Sequence, residues 1–236
     1  MPPKSFSKQI NNFIAKYRLG IIAIGVIVLV LLLDQIIKFY IKTHFFIGES
    51  HYVFGLNWFQ IHFIENNGMA FGMEFAGSYG KILLTMFRII ASGAIAWYMY
   101  TLIKKKASKF LIITIALIFT GAIGNIVDSA FYGLIFNEST PYDKAVLFPA
   151  TGGYSTFLHG KVVDMLYFPI INTTWPNWVP YFGGQLLEFF QPVFNIADSA
   201  ITIGVLVLLL FQKRLFKTTV TAKLDVNLND DNVSEG

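Results

Sequence analysis

Four stretches of the chain stay apolar for about the length of a membrane crossing, which takes roughly 20 residues in helical form. The first is uncharged from Leu19 to Leu33 and reaches Ile41 once Asp34 and Lys38 are tolerated. The second, Ile82–Ile103, carries only Arg88; the third, Phe110–Val127, carries no charge; the fourth, Pro192–Phe211, carries only Asp198. A single run of this kind fits a buried core helix equally well. Four of them in one chain predict spanning helices over about 19–41, 82–103, 110–128 and 192–211. Two long connections, 42–81 and 129–191, are rich in aromatic and turn residues, and Trp58, Trp175 and Trp178 suit a membrane interface. Within the first connection, Trp58–Ile64 alternates imperfectly between apolar and polar residues, which predicts a strand.

Charge orients these spans. Lys4, Lys8, Lys16 and Arg18 precede the first; Lys104, Lys105, Lys106 and Lys109 fill the link between the second and third; Lys213, Arg214, Lys217 and Lys223 follow the fourth. Twelve of the 18 basic residues therefore flank one side, and basic flanks stay in the cytoplasm. Both termini are expected there, with 42–81 and 129–191 outside. The expected fold class is an all-α membrane protein, four transmembrane helices with a small extracytoplasmic β-containing subdomain. Residues 1–18 precede the spanning unit 19–211, and 212–236 form a tail expected to be partly disordered, because Asp225–Gly236 is acidic and polar.

Composition narrows the classes further. The 236 residues are 55% hydrophobic and only 14% charged, against about 25% charged in soluble domains. A water-soluble globule and a disordered chain are both excluded. The net charge of +4 is accounted for by the flanks of the apolar runs, so membrane lipid, not nucleic acid, is the expected partner. Without Cys there is no disulfide, thiolate metal site or Cys nucleophile. The four His residues show no metal spacing, and neither G-x-S-x-G nor a phosphate loop occurs. No metal and no cofactor is expected, and carboxylates are left as the best-placed reactive groups.

Depth gives the charged groups of the four spans a pattern. Asp34 lies 15 residues past Leu19, Arg88 lies 15 before Ile103, Asp128 lies 18 past Phe110, and Asp198 lies 13 before Phe211. At the helical rise all four sit roughly 20–27 Å from the inner surface, in one outer layer. Asp34 and Lys38 are four apart and can pair. Asn125 and Asp128 share a face, beside Gly121 and Gly124, which permit close approach of another helix; Asn195 and Asp198 repeat the i, i+3 relation. Asn66 and Gly68 in E-N-N-G fall in an expected turn. Structural pairing and helix packing explain each feature singly. By depth alone, Asp128 is the better partner for Asp198.

At these residues the chain resembles the lipoprotein signal peptidases, or signal peptidase II, of bacterial inner membranes. The matching motifs are D-Q-I-I-K at 34–38, N-N-G-M-A-F-G at 66–72, G-N-I-V-D at 124–128, G-K-V-V-D at 160–164 and F-N-I-A-D-S at 194–199, in the family's order. The resemblance implies an aspartic endopeptidase that removes signal peptides from diacylglyceryl-modified prolipoproteins, with its site at the outer face. It also implies Asp164 and Asp198 as the catalytic pair, with Asp34, Lys38, Asn66, Gly68, Asn125, Asp128 and Asn195 binding substrate or supporting the site. That choice displaces Asp128 in favour of Asp164, whose apolar neighbours Val162–Val163 and Met165–Pro169 can dock it near Asp198. Ser129 stands where the family usually has Arg, leaving Arg88 or Lys161 to fill that role. Segments 137–159 and 170–191 exceed the family's usual connections and suit an ordered outer subdomain or lid. The competing reading is a non-enzymatic four-span protein, a small transporter or assembly subunit with an outer carboxylate site. Its weakness is that polar groups are almost absent from the inner half of the spans.

Overall fold

The computed structural model describes residues 4–67, 77–189 and 192–233. Its long helices are α1 (Lys4–His44), α2 (Gly77–Lys104), α3 (Lys109–Val127) and α5 (Ile196–Val233). Among the described residues four helical segments are long and apolar enough to cross a membrane: Ile14–His44, Gly80–Lys104, Lys109–Ile135 and Ile196–Leu215. Their outer surfaces expose large apolar side chains such as Ile24, Leu29, Leu83, Phe87, Ile90 and Leu210. This suits lipid, since helices satisfy their own backbone groups and need no water.

The element boundaries differ from the hydropathy pattern for local reasons. The third span continues past Asp128, through a π turn at Asp128–Tyr132 into α4 (Gly133–Ile135). The fourth begins at Ile196 rather than Pro192, because Val193–Phe194 is taken into a sheet as a strand. At the other end α5 runs through Asp225 to Val233, where composition alone expects disorder; no Gly or Pro stands between Gln212 and Val233 to stop it.

α3 is the central helix and packs against α1, α2 and α5. The close approach of α5 depends on two glycines. A Cβ at Gly121 would lie 2.2 Å from the Ala197 carbonyl oxygen, and one at Gly124 would lie 2.9 Å from both the Ala197 Cβ and an Asp34 carboxylate oxygen. Towards the end carrying the termini the bundle is closed by apolar side chains, including Ala23, Met99, Leu111, Ile112, Ala116 and Leu215. Towards the other end it is polar, and there it meets a sheet.

That sheet is antiparallel, in the order β1 (Ser50–Tyr52), β2 (Gln60–Asn66), β3 (Val162–Tyr167), β6 (Val193–Phe194). The expected strand in the first connection is β2, shifted by two residues. β2 and β3 pair Ile64 with Asp164 and Asn66 with Val162, and β6 pairs Phe194 with Leu166. Successive side chains of a strand point to opposite faces. Val163 and Met165 accordingly enter an apolar core with Ile41, Phe63, Tyr132 and Phe136, while Asp164 between them faces the bundle. Residues 171–174 and 186–189 form a separate hairpin of β4 and β5. Residues 137–159 are tied to the end of the third span by a Phe148 N–H to Ile135 carbonyl hydrogen bond (2.7 Å) and a Phe136–Leu147 bridge just beyond it, and to the first connection by an Ile47 N–H to Thr140 carbonyl bond (3.2 Å).

Candidate active site

The polar end of the bundle is organised around one ammonium group. Lys38 Nζ lies 2.9 Å from Asp34 and 2.8 Å from Asp128, all three fully or almost fully buried. The i, i+4 pair expected from the sequence therefore exists, and Asp128 completes it as a second anion. Gln35 braces the cluster, donating to Asp128 (2.9 Å) and Asp34 (3.1 Å), and its own oxygen accepts from the Tyr132 hydroxyl (3.2 Å). Asp34 also accepts the Ala197 backbone N–H at 2.9 Å, which pins the start of α5 to α1. Breaking such a buried pair by removing one partner costs about 3–5 kcal/mol, because a charge is left uncompensated.

From this cluster a chain of amides leads outward. Lys38 donates to Asn125 Oδ1 (3.1 Å), as does Asn195 Nδ2 (3.1 Å). With its oxygen so engaged, Asn125 turns its NH2 to Asp198 at 2.7 Å. Asn195 caps α5: its side-chain oxygen accepts from Asp198 N–H (2.9 Å), and the Asp198 carboxylate accepts from Asn195 N–H (3.4 Å). This reciprocal arrangement is a capping box, which explains the N-x-x-D spacing at this end. The remaining Asn195 amide hydrogen reaches Asp164 at 2.7 Å, and Asn66 donates to the other Asp164 oxygen at 3.3 Å. One asparagine thus touches both Asp164 and Asp198. Burial, reinforced by the Asp198 charge, pushes the Asp164 carboxyl up to about 7.

Asp34, Lys38 and Asp128 form the buried ion cluster; Asn66, Asn125 and Asn195 hold the two carboxylates; Gly68 lies outside the described residues. Depth favoured Asp128 as the partner of Asp198, but its two oxygens are taken by Lys38, Gln35 and the Val163 N–H (3.3 Å). Ser129 turns its hydroxyl to the Asn125 carbonyl at 3.0 Å. Of the two cations considered in place of an Arg there, Arg88 interacts electrostatically with Asp198 and Asp164, whereas Lys161 pairs with Glu138 (3.0 Å) and Glu65 (3.7 Å).

A second buried ionic group, absent from the sequence expectations, stands one turn beyond the first. Lys42 pairs with Glu65 and donates to Ser139 at 2.9 Å, and Ser139 donates to Glu65 at 2.8 Å. Glu65 adjoins Asn66, so this group fixes the strand that reaches Asp164 and ties residues 137–159 to it. The spacing Asp34, Lys38, Lys42 on one helix face was the available signal; Glu65 had none, because a strand pattern does not say what a polar position meets. Among the described residues no cluster of three or more His, Asp, Glu or Cys side chains could hold a metal ion.

A family model described as Signal peptidase (SPase) II matches residues 26–214. A lipoprotein signal peptidase of Porphyromonas gingivalis is 45% identical over 215 residues, 91% of each chain. One of Amoebophilus asiaticus is 34% identical, covering 89% of this chain and 86% of its own. A bacterial membrane enzyme solved by the in meso method at 2.3 Å resolution superposes with a TM-score of 0.52 at 26% identity, over 81% of this chain and 87% of that one. Sequence match, four apolar spans and the clustering of all the described motif residues at one end lead to the same conclusion: the chain belongs to the signal peptidase II family, the lipoprotein signal peptidases of bacterial membranes.

Proposed function

We propose that the protein is an aspartic endopeptidase that removes the signal peptide from diacylglyceryl-modified prolipoproteins, with Asp164 and Asp198 as its catalytic pair. The carrying observation is that Asn195 donates to both carboxylates, to Asp164 through its side-chain amide and to Asp198 through its backbone N–H, while Asp34 and Asp128 are committed to Lys38. Two carboxyl groups held together do not both ionise easily, so one keeps its proton near neutral pH. Asp164, raised to about 7, supplies that proton. Asp198, in the first turn of α5 with amide donors on both oxygens, serves as the base.

The chemistry follows from those roles. Asp198 takes a proton from water as the water oxygen attacks the scissile carbonyl carbon. Asp164 donates a hydrogen bond to the carbonyl oxygen, which gains negative charge. Collapse of the tetrahedral intermediate breaks the C–N bond, and the proton held by Asp198 passes to the leaving amine. Asn125 and Asn195 contribute by fixing both carboxyls before substrate arrives. In the cell, the unit 19–211 spans the inner membrane with the segment 1–18 and the tail 212–236 in the cytoplasm. The twelve flanking basic residues support that orientation, which turns the carboxylate pair to the outer boundary, where lipid-bound substrate and water meet.

Purified protein in lipid nanodiscs tests the substrate class. It should cleave a prolipoprotein whose lipobox Cys carries diacylglycerol and cleave the unmodified precursor at least about tenfold more slowly, and chelators should not change the rate. Equal cleavage of both precursors contradicts the assigned substrate. No cleavage of either favours the non-enzymatic reading.

A further inference from the structure

Residues 137–159 carry a feature that catalysis does not use. Between Ala145 and Leu158 the chain has no charged residue, and Val146, Phe148 and Phe157 are 56%, 73% and 54% exposed. Phe148 also has φ +51°, a left-handed conformation that bulky side chains rarely adopt. A turn that strains its backbone to present a phenyl ring to the outside needs a partner for that ring.

The partner is indicated by where the turn is anchored. Phe148 N–H donates to the carbonyl of Ile135 at 2.7 Å, and Ile135 is the last residue of the third apolar span. Phe157 packs edge-on against Phe131 of the same span at 6.0 Å. Phe131 and Leu134 are themselves 48% and 45% exposed, as lipid-facing residues of a spanning helix are. The apolar edge of the turn is thus continuous with the lipid-facing surface of the third span and sits at its outer end. Charged residues of the same segment have other contacts: Glu138 pairs with Lys161 at 3.0 Å, Lys144 stands over the Phe46 ring, and Asp143 is tied to Thr140, beside Tyr142, which is 86% exposed. The same combination recurs twice, between β1 and β2 and in the loop joining β4 to β5. Phe54 (φ +52°) and Tyr181 (φ +67°) are each 94% exposed, in the uncharged stretches 52–61 and 170–187.

We propose that the Phe148 turn is a membrane anchor, bedding its apolar edge into the outer-leaflet boundary beside the third span. Aromatic residues favour that zone, where ring and polar backbone are both accommodated. Anchored there, the segment holds the sheet at a fixed height through Ser139 and Glu65. This goes beyond the peptidase reading and does not depend on the identity of the catalytic pair.

The absence of Cys makes the test direct. Single-cysteine proteins Phe148→Cys and Tyr142→Cys, labelled with an environment-sensitive fluorophore, are reconstituted at low protein density into phosphatidylcholine–phosphatidylglycerol vesicles with the outer face accessible. At position 148 brominated lipid should quench the emission about twofold or more, and iodide should quench little; at 142 the order should reverse. Equal iodide quenching at both positions overturns the proposal. So does quenching at 148 that depends on protein density instead of bromolipid, which would mean a second copy covers the turn. Phe148→Ser provides a second measure, with unchanged thermal stability in detergent and a loosened 142–148 segment by hydrogen exchange in vesicles. Unchanged exchange in vesicles also overturns it.

Discussion

At the scale of single residues the informative group is Asp164. An unfolded Asp titrates near 3.8, whereas burial and the neighbouring Asp198 hold this one up to about 7. Between those values the folded chain keeps a proton that the unfolded chain has lost, so stability falls as pH rises from about 4 to about 7. Asp164→Asn removes that dependence. Its melting temperature should exceed the parent's by several degrees near pH 8 and approach it near pH 4, as scanning fluorimetry in detergent can measure. A constant difference across that range contradicts the assignment of the proton. Asp164 was only partly legible in the sequence. Its neighbours Val163 and Met165 mark a buried stretch, but nothing local says that the alternate face of that strand looks into a polar site. Asp34 and Lys38 were legible because their i, i+4 spacing on one helix already fixes which way both point.

Among the elements, the start of α5 does the most to assemble the site. Asn195 is at once its cap, a ligand of Asp164 and a donor to Asn125. Hydropathy places this residue inside the helix, since Pro192–Phe194 is as apolar as the first turns of α5; only the pairing of Val193 and Phe194 with β3 shows that the chain is still extended there. The approach of α3 to α5 was legible in Gly121 and Gly124. Gly121→Ala puts a methyl group 2.2 Å from the Ala197 carbonyl oxygen, a backbone atom that cannot turn aside. α5 must shift, and overpacking of this kind costs about 1–3 kcal/mol. The expected result is a melting temperature lower by several degrees and turnover reduced about tenfold or more, because Asp198 moves with its helix. Parent-like stability and turnover in Gly121→Ala would show that this contact does not set the position of Asp198.

In the whole molecule, one division of labour accounts for the architecture. The end with the termini is closed by apolar packing, and the opposite end joins two buried ionic groups, the asparagine-held carboxylates Asp164 and Asp198 and a sheet. The four spans and their shared polar depth could be read from hydropathy, because lipid constrains composition along the whole length of a helix. The sheet could not, because its strands are far apart in the chain, with β2 at 60–66 and β3 at 162–167. Only that pairing brings Asp164 over the bundle, and it leaves Asp128 to Lys38. The most direct measurement is therefore turnover of a diacylglyceryl-modified prolipoprotein by Asp164→Asn, Asp198→Asn and Asp128→Asn, each checked for folding. Asp164→Asn and Asp198→Asn should insert and fold normally yet lose cleavage entirely. An active Asp164→Asn beside a folded but inactive Asp128→Asn would contradict the dyad and make Asp128 the partner of Asp198.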